Sequence, residues 1–151
     1  MKETNKPIKE KSCGAVIYKV NKNDKSLSFL VLHMNLGHYS LCKGHVEKKD
    51  KNEEDTARRE IKEETSLDVN IDTNFREVIT YSPKEGTIKD VIFFVAEDIS
   101  NIAPKDKHDN EVNKIYYLPF NEAYNLLTYP SDKDVLKKAY NYIIYTKLGN
   151  N

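Results

Sequence analysis

Cysteine is scarce in this chain. Cys13 and Cys42 are the only two among 151 residues; they lie in or beside apolar runs and lack the C-x-x-C spacing of a redox pair or zinc site. A disulfide framework is thereby excluded, and a reduced compartment is expected, cytoplasmic or alternatively nuclear. The opening residues MKETNKPIKEK hold no apolar stretch that would make a secretion signal, and no run approaches the ~20 apolar residues that span a bilayer. The expectation is a soluble protein without a membrane partner. Charge of one sign is missing as well, because 24 Lys and Arg are balanced by 24 Asp and Glu. No overall field recruits long nucleic acid or an anionic surface. What the chain does have is a local excess of acid between Glu47 and Glu64.

The length suits one domain, which at this size buries roughly two-thirds of the surface its unfolded form exposes. Residues 1–11 are polar and lysine-rich and are read as a flexible terminus, with order beginning near Ser12 and one domain running to 148. Apolar segments 13–20 and 27–34, separated by the polar NKNDKS, predict a hairpin. Segments 75–81, 88–96 and 114–118 read as further strands. A helix is expected over 53–65, a short one capped by Asn121, and a last one capped by Ser131 or Asp132 and reaching Lys147. There is no internal repeat, so strands and helices mix in one α/β or α+β domain.

The helix over 53–65 carries the chemistry. At 100° per residue, Glu53, Glu60, Glu63 and Glu64 fall within about 100° of one another, and Ala57 and Ile61 fall beside them to press the helix onto a core. Magnesium takes oxygen ligands, commonly one or two carboxylates plus phosphate oxygens, and Glu60 and Glu64 one turn apart suit it. A solvated helix face with Arg59 paired to Glu63 is the plainer reading of such a cluster.

The run GHVEKKDKNEEDTARREIKEETSL decides between them, because it resembles the Nudix box, G-x5-E-x7-R-E-U-x-E-E-x-G-U with U apolar. Gly44, Arg59, Glu60, Ile61, Glu63, Glu64 and Leu67 match. Three departures stand out: Asp50 occupies the place of the first Glu, the spacer to Arg59 is one residue too long, and Ser66 replaces the last Gly. Ser66 must therefore adopt a helix-ending geometry that Gly takes more easily. Across residues 12–125 the pieces SCGAVIY, HYSLCKGHVE, FREVITY, IKDVIFFVAE and HDNEVNKIYYLPFNEA resemble the asymmetrically cleaving diadenosine tetraphosphate hydrolases of animals.

That resemblance implies the Nudix α/β/α sandwich around a mixed sheet and magnesium-dependent hydrolysis of diadenosine tetraphosphate to ATP and AMP, with manganese as an alternative metal; a monomer is expected. It places Glu60, Glu63, Glu64, Glu111 and Gly44 at the metal, with Glu60, Glu63 and Lys43 as catalytic residues. It places His38, Tyr39, Lys43, Tyr81 and Lys89 around the dinucleoside polyphosphate. Alternatives within the family are a capped RNA end, a nucleoside triphosphate or an inositol pyrophosphate; outside catalysis, a nucleotide-binding module is the other class. The intact Glu60, Glu63 and Glu64 weigh against the module.

Overall fold

The computed structural model describes residues 6–105 and 111–148. His108, Asp109 and Asn110 of the HDNEV segment lie outside the described residues, as do residues 1–5 of the expected flexible terminus. Chain order is β1 (Ile8–Val20), β2 (Leu27–Met34), β3 (Tyr39–Ser40), β4 (Cys42–His45), α1 (Glu53–Thr65), β5 (Val69–Tyr81), β6 (Thr87–Asp98), β7 (Val112–Leu118), α2 (Phe120–Leu126) and α3 (Pro130–Ile143), with a π turn over Ile144–Leu148.

The seven strands form one sheet in the order β3-β2-β1-β6-β5, with β4 on β1 and β7 on β2. It is a mixed sheet: β1 and β6 run parallel from Ile8↔Thr87 to Tyr18↔Glu97, and the other pairs are antiparallel. The strand period of two divides β1 between two cores. Val16 and Tyr18 join Phe29, Val31, Phe93 and the α2–α3 side, while Cys13, Ala15 and Ile17 join Leu30, Leu32, Ile92 and α1. Helices thus cover both faces, giving the expected α/β/α sandwich. Among the described residues no helix is long and apolar enough to cross a membrane.

Several boundaries depart from expectation. β1 starts at Ile8, not near Ser12, because Lys9, Glu10 and Lys11 continue the pairing with β6. The short β3 and β4 are strands that no apolar run announces; β4 pairs with β1 as Cys13↔Gly44 and Gly14↔Lys43. β5 begins at Val69 rather than near 75, and its register slips between Asp72 and Glu77. α2 is entered through Pro119, not capped by Asn121, and Phe120 at its start packs on Phe29 and Tyr140 at centroid distances of 6.2 and 4.3 Å. α3 is capped at Tyr129 with Pro130 in its first turn, not at Ser131 or Asp132; Pro there loses no hydrogen bond the helix would have made.

α1 has the expected bounds, and its ends show why. The Asn52 side chain accepts from Asp55 N–H at 2.8 Å, and Glu53, Glu54 and Asp55 complement the helix dipole. At the other end Ser66 takes the left-handed conformation, φ 66° and ψ 7°, with its N–H donating to Lys62 O and its hydroxyl to Lys105 O at 2.6 Å. The hydroxyl bond anchors a residue standing in for glycine. Ala57 and Ile61 are fully buried, and burying an Ile side chain contributes ~1.5–3 kcal/mol, so the helix is pinned with Glu60 and Glu64 turned toward the strands.

Candidate active site

Arg59 organises the acidic face. Its Nε and Nη2 donate to Asp50 at 3.0 and 2.9 Å, Nη2 also to His45 O at 2.8 Å, and Nη1 to Glu60 at 2.9 Å and Glu63 at 3.3 Å. The Arg59 guanidinium holds the Asp50 carboxyl well below the usual carboxylate range, helped by Glu47 N–H and the Thr56 hydroxyl. Asp50 thus keeps a partner for Arg59 despite its shorter side chain and the longer spacer. By reaching His45 O, Arg59 also ties β4 to the helix that carries Glu60. Glu53, which shares the wheel face, is instead clasped by Arg76 at 2.8 and 2.9 Å and Lys11 at 2.6 Å, fastening the start of α1 to β5 and β1.

Glu60 and Glu64 are buried, 9% and 7% exposed. Desolvation raises both; it pushes Glu64 up to about 8, with Glu60 and Glu111 adding to the rise and a Cys42 thiol bond at 3.3 Å opposing it. Glu60 is raised less because Arg59 pulls the other way. Gly44 fits against Glu60: a Cβ there would overlap its carboxylate. Since the obstacle is the far end of a side chain and not backbone, Gly44→Ala is expected to fold normally and lose roughly tenfold in turnover through a displaced Glu60. A melting curve and initial rates check this; wild-type turnover would mean that Glu60's position is not critical.

A cavity of about 570 Å³ opens over these groups, lined among others by Lys43, Gly44, Glu60, Glu64, Lys89 and Glu111. Lys89 is nine-tenths buried and held below the usual lysine value by burial and by Lys43. Ser12 lines the same cavity with a buried hydroxyl that has no hydrogen-bond partner in the structure. Among the described residues no three His, Cys, Asp or Glu groups converge tightly enough to hold a metal. Glu60 and Glu64, two buried carboxylates one helical turn apart, nevertheless match the one or two protein carboxylates that magnesium takes alongside water and phosphate oxygens. Glu63 is not among the lining residues; its side chain is 35% exposed and rests on Arg59.

A second cavity of about 470 Å³ shares His38 and Lys43 with the first and is walled by Tyr81, Tyr129, Phe93 and Asp132. The two tyrosines are 43% and 49% exposed, so both rings are available to a ligand. Tyr39 lines neither cavity: its ring stacks on His33 at 4.3 Å, which leaves its neighbour His38 facing both. A still larger cleft, about 630 Å³ around the β1–β2 turn, contains none of these residues, so volume alone does not locate the chemistry.

Tyr129 and Asp132 carry no functional signal in the sequence, where YPSD reads as a helix start. Asp132 is 5% exposed, and burial pushes it up to about 6 although Lys43 and Leu41 N–H favour its charged form. An acid raised above its unfolded value costs stability as pH climbs from that value to the folded one, here from about 4 to about 6. Asp132→Asn should therefore match or exceed wild type in melting temperature at pH 7, with the relative gain absent at pH 4. A gain that is the same at both pH values would show that charge burial is not the cause.

A family model described as the NUDIX domain matches residues 12–139. No curated protein matched the chain in sequence. Among solved structures, a binary complex of the Ap4A hydrolase of C. elegans is similar with a TM-score of 0.79 and 23% identity, covering 90% of this chain and 98% of that one. Another structure of the C. elegans hydrolase gives 0.73 and 23%, covering 90% and 99%. The NUDIX domain of Shewanella oneidensis NrtR, complexed with ADP ribose, gives 0.70 and 15%, covering 88% and 87%. At these identities the likeness is one of fold, whereas the family match spans most of the sequence and includes the whole Arg59–Glu64 segment. The chain belongs to the Nudix hydrolase family, whose reaction class is pyrophosphohydrolysis.

Proposed function

We propose that the chain hydrolyses diadenosine tetraphosphate to ATP and AMP with magnesium, or manganese in its place, acting as a monomer. The observation that carries this reading is the pair of adjoining cavities, one lined by acids and lysines and one by exposed tyrosines, with Lys43 and His38 common to both. A base in the second cavity would lead its phosphates past Lys43 into the first. A lone nucleotide base needs only the tyrosines; a polyphosphate continuing from it needs the neighbouring charges.

Glu60 and Glu64, with Glu111 and the Gly44 carbonyl, would hold the metal. Bound there, divalent metal neutralises phosphate charge and lowers the pKa of water. The chain's own groups do the rest. Water oxygen bonds to the phosphorus that becomes AMP, the bridging P–O bond to the other three phosphates breaks, and ATP leaves with that oxygen. A carboxylate of the box takes the water proton; Glu63, the more accessible, would do so by turning from Arg59 toward the cavity. Lys43 and Lys89 offset charge on the phosphate oxygens, and burial of Lys89 strengthens its effect. The unpartnered Ser12 hydroxyl can donate to a phosphate oxygen.

The products test the geometry. In ¹⁸O water with magnesium, the expected outcome is ATP and AMP in equal amounts with the label in AMP. Two molecules of ADP, or label in ATP, would overturn the placement, and cleavage of capped RNA or nucleoside triphosphates alone would assign a different substrate.

A further inference from the structure

Asp132 has no part in the reaction described above, yet it occupies an expensive position. It sits in the first turn of α3, 5% exposed, and lines the cavity walled by Tyr81 and Tyr129. Favourable interaction with the helix dipole is available to an exposed acid at the same position and does not require burial in a cavity wall. The Leu41 backbone N–H and the charge of Lys43 both favour its ionised form. A carboxylate can accept several hydrogen bonds, so Asp132 has acceptor capacity to offer a base in the cavity it lines.

An ionised carboxylate only accepts, so it selects a base edge made of donors. Guanine presents N1–H and the N2 amino group side by side, whereas adenine presents its N6 amino group next to the N1 lone pair. Guanine can therefore give Asp132 two hydrogen bonds, while adenine gives one and sets an acceptor against the negative charge. We propose that Asp132 is a specificity-determining residue that makes the Tyr81–Tyr129 cavity prefer guanine, so that guanine-containing dinucleoside tetraphosphates are better substrates than diadenosine tetraphosphate. The inference rests on the reading of that cavity as the base slot. Adenine still enters by its ring face, so the proposed reaction stands with a wider substrate class.

The experiment compares kcat/KM of the purified full chain for diguanosine, diinosine and diadenosine tetraphosphates, and by calorimetry the dissociation constants of GTP and ATP without metal. Wild type should favour guanine over adenine on the order of tenfold, with hypoxanthine, which keeps N1–H but lacks the amino group, between them. Asp132→Asn supplies one acceptor and one donor, which adenine meets with N6–H and N1 and guanine with N1–H and O6, and should abolish the guanine preference. Asp132→Ala should flatten it, and serves if the Asn variant does not fold. Equal constants for all three bases in wild type, or an Asp132→Asn variant that weakens all equally, would overturn the proposal and leave Asp132 a brace for Leu41. If no tetraphosphate is cleaved while GTP still binds more tightly than ATP by that margin, the base preference stands and the hydrolysis reading fails. Cleavage of all three tetraphosphates without discrimination keeps the hydrolysis reading and removes the base preference.

Discussion

Glu64→Gln is expected to leave the protein folded and lower turnover by more than ~100-fold, since even indirect supports of a metal ligand cost roughly 10–100-fold when removed. The side chain is buried, and its nearest hydrogen-bond contact is the Cys42 thiol. An amide of the same shape keeps that contact and removes a carboxyl that burial pushes up to about 8 and that folding must therefore protonate at neutral pH, so the melting temperature should hold or rise. The charge needed to bind a divalent cation is what the substitution deletes. Glu53→Gln should do the reverse: it weakens the clasp to Arg76 and Lys11, lowering stability modestly while turnover stays within severalfold of wild type. Rates at saturating magnesium together with thermal melts separate the two. Near-normal activity of the Glu64 variant would sink the metal assignment, and similar losses at both positions would reduce the acidic face to a structural charge cluster.

Glu53 and Glu64 share a helix face and differ in what surrounds them. The helix wheel places Glu53 with Glu60 and Glu64, and only the family spacing sets it apart; the structure gives the reason in Lys11 and Arg76, which come from strands on either side of α1. Wheel geometry knows what shares a face and nothing of what faces it. The bounds of α1 are legible because its signals are local: a capping Asn, an acidic first turn and apolar residues in step with the helix period. The same local logic fails for α2 and α3, where Asn121, Ser131 and Asp132 have the right chemistry for caps but aromatic packing of Phe120 and the fixed φ of Pro130 set the helix starts. β1 outruns its apolar run for a related reason: Lys9, Glu10 and Lys11 carry no hydrophobic signal, and their strand state comes from pairing with β6. Helix spacing pairs Arg59 with Glu63 one turn away; its stronger engagement with Asp50 and His45 O depends on a loop whose path no periodicity encodes. Tyr129 and Asp132 escape a reading of the sequence because they meet Tyr81 only after about fifty residues of intervening chain have folded.

Losing either tyrosine of the second cavity should show chiefly in the Michaelis constant. Stacking a base on an aromatic ring is worth ~1–3 kcal/mol per base, which is roughly 5- to 150-fold in binding. Such contact is equal in ground and transition states when chemistry occurs several bonds away at phosphorus, so kcat should change little. Tyr81→Ala and Tyr129→Ala are each expected to raise KM within that range, while Tyr81→Phe, which keeps the ring, should stay near wild type. Tyr81 is close enough to Tyr129 and Asp132 for their charges to influence its hydroxyl, so the rings border one space. If they hold opposite faces of one base, the double variant should lose less than the product of the single losses, because a base already freed on one side has less order for the second ring to maintain. Strict multiplication would mean that the rings bind separate parts of the substrate, one at each adenosine. An unchanged KM in both single variants would remove the base from this cavity altogether, taking the guanine preference of Asp132 with it and leaving the acidic cavity as the only part of the assignment still standing.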